Sequence, residues 1–298
     1  MKILVSGSHG LVGSALIPEL KKKGHQVAPL VRQTPRDGEV FWNPEEGKLD
    51  AAALAGFDAV IHLAGEGIAS KRWTAGQKAR ILDSRVRGTT LLAETLAGLP
   101  APPKMFLSAS AIGYYGNRGG EALTEESPPG SDFLANVCQA WEGATQPAVR
   151  KGIRVVLLRT GIVLSPAGGA LAKMLPPFKM GVGGNLGNGK QFMSWISLDD
   201  EIGAILHALE TNPLRGPVNL VCPKAVTNAA FTKAMGRALK RPTLLPMPAF
   251  AARLAFGEMA DALLLSSARV EPKRLLTSNY RFRFPDLDEA LKHLLHKN

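Results

Sequence analysis

The 298-residue chain reads as an α/β protein: a doubly wound parallel sheet followed by a smaller, mostly helical C-terminal lobe. Short apolar runs alternate with longer helical segments through the first half, the pattern of right-handed β-α-β units. A glycine-rich turn, Gly7-Ser8-His9-Gly10-Leu11-Val12-Gly13, joins the first run to the first helix. After residue 164 the alternation loosens and short helices and prolines take over.

Residues 3–6 form the first expected strand. Residues 11–23 form a helix ended by Gly24, with a kink expected at Pro18, whose nitrogen cannot donate. Strands follow at 26–31 and 59–63, and a helix at 74–97. Residues 104–108, 133–151 and 153–159 then give strand, helix, strand. Seven glycines and three prolines between Ser165 and Lys190 predict a substrate-side loop. Regularity returns with a strand at 192–196, a helix at 198–210, a strand at 216–221 and a terminal helix at 287–296. Residues 1–164 with 191–222 are expected to form the nucleotide-binding core, and 165–190 with 223–298 the substrate lobe.

Composition narrows the function. Apolar residues make up 45% and charged residues 20%, which excludes wholesale disorder. The two cysteines are too few for a disulfide framework or a cysteine-built zinc site. No apolar run approaches the ~20 residues that span a bilayer, and no signal-peptide core is visible, so a cytoplasmic protein is expected. The net charge of +11 raises the question of nucleic acid, but aromatics reach only 6% and no DNA- or RNA-binding motif occurs. The expected partner is an anionic small molecule, with neither nucleic acid nor membrane involved.

The glycine turn has a physical logic. Gly7 permits the tight turn, Gly10 lets the backbone approach a pyrophosphate, and Gly13 allows helix and strand to pack closely. Unpaired N–H groups and the positive end of the helix dipole then face the phosphates. Gly7, Ser8, His9, Gly10, Leu11, Val12 and Gly13 are accordingly the candidate cradle of a Rossmann-type dinucleotide site. An NAD site places a carboxylate at the end of the second strand, whereas this chain has Val31-Arg32-Gln33 there. A guanidinium grips a 2′-phosphate in a charge-assisted pair, so Arg32, with His9 as a second contact, points to NADP.

Together with His62-Leu63-Ala64-Gly65 and Ser108-Ala109-Ser110-Ala111, these features resemble the extended short-chain dehydrogenase/reductase superfamily. More closely, the chain is similar to its atypical epimerase-like family, whose members carry a C-terminal domain of unassigned role. Arg72-Trp73, Ser84-Arg85, Ala111-Ile112-Gly113-Tyr114-Tyr115-Gly116, Gly183-Gly184-Asn185-Leu186-Gly187 and Trp195-Ile196-Ser197-Leu198-Asp199-Asp200 carry that closer likeness. The resemblance implies that Leu63, Ala64 and Gly65 flank the adenosine, that Arg85 belongs with the cofactor-binding residues, and that Ser110 faces the nicotinamide. It also implies a homodimer through helices 74–97 and 133–151.

In that superfamily a Tyr and a Lys four residues apart on a helix run the chemistry. Here none of Tyr114, Tyr115 and Tyr280 has a lysine at that spacing, and Leu134 and Cys138 stand at the dyad positions. Ser110, Tyr114 and Cys138 remain the catalytic candidates. A phenol without a partnering Lys keeps a reference pKa of about 10 and is a poor base. The basic run Lys71, Arg72, Lys78, Arg80, Arg85 and Arg87, and the cluster Arg269, Lys273 and Arg274, are either solvated faces or an anion-attracting rim. His293 and His296 lack further ligands nearby, so no metal is expected. No GxSxG elbow occurs, which sets serine hydrolase chemistry aside. The expected function is an NADP(H)-binding epimerase- or reductase-like protein acting on a nucleotide sugar or a small carbonyl compound. The alternative is a non-catalytic NADPH-binding redox sensor or scaffold.

Overall fold

The computed structural model describes residues 1–296. Strand β1 (Lys2–Ser6) leads through the glycine turn into helix α1 (Leu11–Lys22) and β2 (Gln26–Val31). A hairpin of β3 (Val40–Asn43) and β4 (Lys48–Leu49) precedes β5 (Ala59–His62), α2 (Ala75–Gly98) and β6 (Met105–Ala111). After the short β7 (Ala122–Leu123) come α3 (Phe133–Gly143), α4 (Gln146–Arg150), β8 (Arg154–Thr160) and β9 (Ile162–Ser165). Helix α5 (Gly169–Lys179), β10 (Phe192–Met193), β11 (Trp195–Ser197), α6 (Leu198–Glu210) and β12 (Gly216–Leu220) follow. The C-terminal part holds β13 (Val226–Thr227), α7 (Asn228–Leu239), α8 (Ala249–Phe256), β14 (Arg269–Val270), α9 (Lys273–Thr277) and α10 (Leu287–Leu295).

The central sheet runs β12-β8-β6-β5-β1-β2-β3-β4 and is parallel except for the β3–β4 hairpin. Its strands read as unbroken apolar runs because both faces are covered. One face packs Leu16 and Leu20 of α1 and Ala204, Ile205 and Ala208 of α6 on Ile3, Val5 and Ile61. The other packs Leu92, Ala93 and Leu96 of α2 on Leu4, Val60 and Phe106. Each such leucine contributes roughly 1.5–3 kcal/mol by leaving water. A further core joins Leu171, Leu175 and Phe178 of α5 to α7 and α10.

Several local expectations are corrected. Helix α1 keeps Pro18 inside it, as the sequence predicts, and Gly24 follows its last turn at φ +79°. The helix expected over 133–151 is two helices: Thr145 Oγ1 donates to the Glu142 carbonyl, and Pro147 fits only a fresh first turn. The expected loop 165–190 contains α5, closed by bridges from Leu164 and Ser165 to Gly169 and Gly168. Its apolar spacing outweighs Pro176 and Pro177, so only the residues after it remain irregular. The β3–β4 hairpin lies where no strand was expected. Asn43 Oδ1 accepts from the Glu45 N–H and Gly47 sits at φ +65°, a turn signal in plain sight.

Candidate nucleotide cleft and reaction centre

The glycine turn lies at the C-terminal edge of the sheet, where open α/β sheets bind ligands. Gly7 has φ +69°, and a Cβ there would stand 2.7 Å from the Leu63 carbonyl carbon. At Gly13 a Cβ would drive into the Gly7 carbonyl oxygen. Gly10 precedes the first turn of α1, which has neither a side-chain cap nor an acidic residue. The first N–H groups of the helix therefore face the cleft without a built-in anion. Ser8 and His9 bond each other at 3.1 Å, and Leu11 packs against the Gly168–Gly169 turn that leads into α5. Arg32 follows β2 directly; it is exposed, and no carboxylate pairs with it among the described residues.

Behind the cradle runs a buried polar chain. Ser6 Oγ accepts the Leu63 and Ala64 N–H groups at 3.1 and 3.3 Å. Its own hydrogen therefore goes to His62 Nδ1 at 2.6 Å, which leaves the imidazole proton on Nε2. That proton reaches Thr89 Oγ1 at 3.1 Å, the same oxygen that accepts the Trp141 indole N–H at 2.9 Å. Burial lowers the His62 pKa to about 3, so the ring stays neutral. His62 is a rigid link between β5, α2 and α3 and has no role as a base.

Arg85 supports the same loop from below. Its Nη1 donates to the Glu66 and Ile81 carbonyls at 2.9 and 3.0 Å, and a Cβ on Gly65 would lie 3.3 Å from its guanidinium carbon. These bonds hold residues 64–66 in place. Most of the basic run is engaged likewise: Lys78 pairs with Glu258 at 2.8 Å, Arg80 with Gln77 at 2.6 Å, and Arg87 with Asp83 at 3.6 Å.

The reaction end is built differently. Ser110 Oγ donates to Glu142 Oε1 at 2.7 Å. Arg159 holds the same carboxylate with two bonds of 2.8 Å, from Nε to Oε1 and from Nη2 to Oε2. Burial alone would lower the Arg159 pKa, but the Glu142 bonds outweigh it and the guanidinium is held more firmly charged. Arg159 Nη1 also donates to the Tyr115 hydroxyl at 3.0 Å, and that hydroxyl donates to Asn219 Oδ1 at 2.7 Å. Burial pushes Tyr115 up to about 12 and closes it off as an acid or base. Tyr114 lies with its ring 3.4 Å from the Arg159 guanidinium carbon, in a 3-10 turn that follows β6.

Leu134 and Cys138 occupy successive turns of α3 facing Gly113: a Cβ on that glycine would lie 3.3 Å from Leu134 Cβ and 3.7 Å from Cys138 Sγ. Burial pushes the Cys138 thiol up to about 12, so at neutral pH it is a protonated core group and not a redox-active thiolate. Glu142, one turn further on, is the side chain of this helix that reaches Ser110. From the sequence, Glu142 served only to align the helix, and neither it nor Arg159 received a role. The available signals were an arginine ending the apolar strand Val155-Val156-Leu157-Leu158 and a glutamate four residues after Cys138.

Two further acids are buried here. Glu201 accepts from Thr160 Oγ1 at 2.9 Å, while its Oε2 has no partner among the described residues; burial raises its pKa to about 8. Glu125 Oε1 accepts the Asn219 and Arg274 N–H groups at 3.1 and 3.2 Å, and burial raises its pKa too. The described residues contain no cluster of three His, Cys, Asp or Glu side chains able to hold a metal. His293 pairs with Asp199 and His296 with the Ala238 carbonyl, so the two do not share a ligand.

Residues 3–220 match the model of the NAD dependent epimerase/dehydratase family. The chain belongs to that family. Residues 247–294 match a domain of unknown function, DUF1731, so the family's core is followed here by a C-terminal segment of its own type. Among relatives, the epimerase family protein Mb2239 of Mycobacterium bovis is 46% identical over 97% of this chain and 96% of its own length. The crystal structure of human epimerase family protein SDR39U1 with NADPH superposes with a TM-score of 0.93, at 36% identity and full coverage of both chains. A nucleoside-diphosphate sugar epimerase from Corynebacterium glutamicum gives 0.82 at 38% identity, covering 99% of this chain and 58% of that one. No helix among the described residues is long and apolar enough to cross a membrane.

Proposed function

We propose that this family member binds NADP(H) and uses it to oxidise or reduce a carbinol or carbonyl carbon of a small molecule beside Ser110. The observation that carries the proposal is the pairing of two features in one cleft. A glycine cradle that a Cβ would fill leads into an uncapped helix N-terminus free of acids, and Arg32, exposed and without a carboxylate partner among the described residues, directly follows the second strand. A pyrophosphate fits the first and a 2′-phosphate the second. The NADPH in the 36%-identical human structure supports the same reading.

Gly7, Gly10, Gly13 and the first N–H groups of α1 would hold the pyrophosphate, with Arg32 and His9 at the 2′-phosphate and residues 63–65 along the adenosine. When bound, the cofactor supplies a hydride donor or acceptor at its nicotinamide. Ser110 donates its hydrogen to Glu142, so its lone pairs are free to accept a substrate hydroxyl. A proton leaving that hydroxyl moves to Ser110 Oγ as the serine proton passes to Glu142. This route replaces the absent tyrosine with a carboxylate held by Arg159. A second reading, an NADPH sensor without turnover, is favoured by the same bond, because Ser110 has no hydrogen to offer a carbonyl while Glu142 is ionised.

Titration of the purified protein with NADPH and NADH, followed by ligand fluorescence, tests the cofactor. We expect NADPH to bind at least ~10-fold more tightly, the worth of one charge-assisted pair; equal affinities refute the assignment. A screen of alcohols and carbonyl compounds for NADP(H) turnover separates the two readings. Activity that disappears in Ser110→Ala supports the enzyme.

A further inference from the structure

The glycine turn has a wall on either side. Leu63 flanks Gly7, close enough that a Cβ there would stand 2.7 Å from the Leu63 carbonyl carbon. Opposite, Leu11 packs on the next turn: a Cβ on Gly168 would lie 3.4 Å from its Cδ1, and one on Gly169 3.2 Å from its Cδ2. From Leu63 the chain continues as an irregular strap, residues 64–73, and from Gly169 as helix α5. The two walls meet again further out, where Lys173 Nζ donates to the Ala69 carbonyl at 2.6 Å. A ring of contacts thus closes through Gly7, Leu63, Ala69, Lys173, Gly169 and Leu11, and Leu11 is the first residue of α1. The Lys173–Ala69 bond joins the walls on either side of the seat proposed for the diphosphate.

The strap depends on that bond. Among the described residues, the other hydrogen bonds of residues 67–72 are local. Ser70 donates its N–H and Oγ to the Gly67 carbonyl, and the Ile68 carbonyl takes the Trp73 indole N–H at 2.7 Å. Only the Lys173 ammonium ties these residues to another element by a hydrogen bond.

The charges favour an exchange of partners. The segments that form the ring, 7–14, 63–73 and 165–173, contain a single carboxylate, Glu66, and it is turned to α2, where Gln77 Nε2 donates to its Oε1 at 3.3 Å. Lys173 is exposed and has no carboxylate partner among the described residues. Its ammonium rests on a neutral carbonyl, and water competes for both groups, so the net worth of the bond is small. A phosphate oxygen is a charged acceptor and makes the stronger bond. The strap's other cations are placed differently. Arg72 lies against Gly257 at the end of α8, where a Cβ would be 3.2 Å from its Nη2, and Lys71 has no bonded partner among the described residues.

We propose that Lys173 is a cationic latch on the cofactor cleft: it fastens the strap through Ala69 in the free protein and passes to the diphosphate when the dinucleotide binds. The inference rests on the cofactor reading above and adds to the backbone cradle a side chain that closes over it. NADPH and NADH share the diphosphate, so Lys173 serves both equally, whereas Arg32 distinguishes them.

The test compares Lys173→Met with the wild type in fluorescence titrations by NADPH and NADH. Affinity for both should fall about 10-fold and by the same factor, whereas Lys173→Arg should stay within about 3-fold of the wild type. Lys71→Met and Lys179→Met remove the same charge from the strap and from the far end of α5, and each should cost less than about 2-fold. A second readout needs no nucleotide. Trypsin cleaves after Lys71 and Arg72, both exposed, and should do so at least ~3-fold faster in Lys173→Met, where the strap is unfastened. Unchanged affinities in Lys173→Met, a loss confined to NADPH, or an equal loss in either control overturns the assignment to the diphosphate. An unchanged cleavage rate overturns the latch. Failure of the cofactor reading shows separately, as a wild type that binds neither nucleotide while cleavage still quickens in Lys173→Met.

Discussion

The two ends of the cleft are built from different materials. At the end proposed to hold the nucleotide, the groups on offer are backbone: glycines that admit no Cβ, an uncapped helix, and N–H groups fixed by Ser6. At the proposed reaction end they are polar and charged side chains already paired with one another, Glu142 with Arg159 and Ser110 with Glu142. The difference teaches that binding a dinucleotide needs a shape, whereas moving a proton needs a group whose charge can change. The first is a shape set by the backbone alone. The second is a neutralised network that a substrate must perturb.

Breaking the nucleotide end should have the largest effect. Gly7→Val puts a β-branched side chain at φ +69° and into the Leu63 carbonyl. We expect a loss of at least ~3 kcal/mol in denaturant unfolding, together with loss of NADPH binding. Wild-type stability with intact binding would show that the cradle tolerates a Cβ.

At the other end, Glu142→Gln leaves the nearly buried Arg159 guanidinium without its counter-charge. A loss of ~3–5 kcal/mol is expected, as when one partner of a buried pair is removed. NADPH affinity of the folded fraction should stay within about 3-fold, because the two ends are structurally separate. A much larger affinity loss would join what the comparison divides.

The two ends should also titrate in opposite senses. His62, lowered from 6.5 to about 3, stays neutral in the folded chain where the unfolded chain is protonated. Stability from this group is lost as pH falls from 6.5 towards 3, by up to ~1.4 kcal/mol per unit. Glu201, raised from 4.5 to about 8, keeps a proton that the unfolded chain releases. Its contribution is full below pH 4.5 and is lost as pH rises to about 8. Urea unfolding across this range should show Glu201→Gln flattening the alkaline decline and leaving the acid limb unchanged. An unchanged alkaline decline would mean that Glu201 is ionised in the folded protein.

The same contrast explains what was legible in the sequence. Gly7, Gly10 and Gly13 each serve a local backbone need, so spacing alone disclosed the tight turn and the β-α-β frame around it. Arg32 was legible because its place at the end of a strand is set by chain order. Glu142 and Ser110, by contrast, are 32 residues apart and meet only after α3 docks beside β6. No periodicity marks such a pair. Helix α5 was obscured because composition overrode pattern: glycines and prolines around it masked Leu171, Leu175 and Phe178 at helical spacing.

The central claim is that a backbone cradle holds the diphosphate while one guanidinium reads the 2′-phosphate. Arg32→Ala, titrated with NADPH and NADH side by side, tests it most directly. The side chain is exposed and has no carboxylate partner among the described residues, so folding should be unaffected. NADPH affinity should fall ~10- to 100-fold with NADH affinity unchanged, collapsing the preference to near unity. A variant that retains the wild-type preference for NADPH would contradict the account.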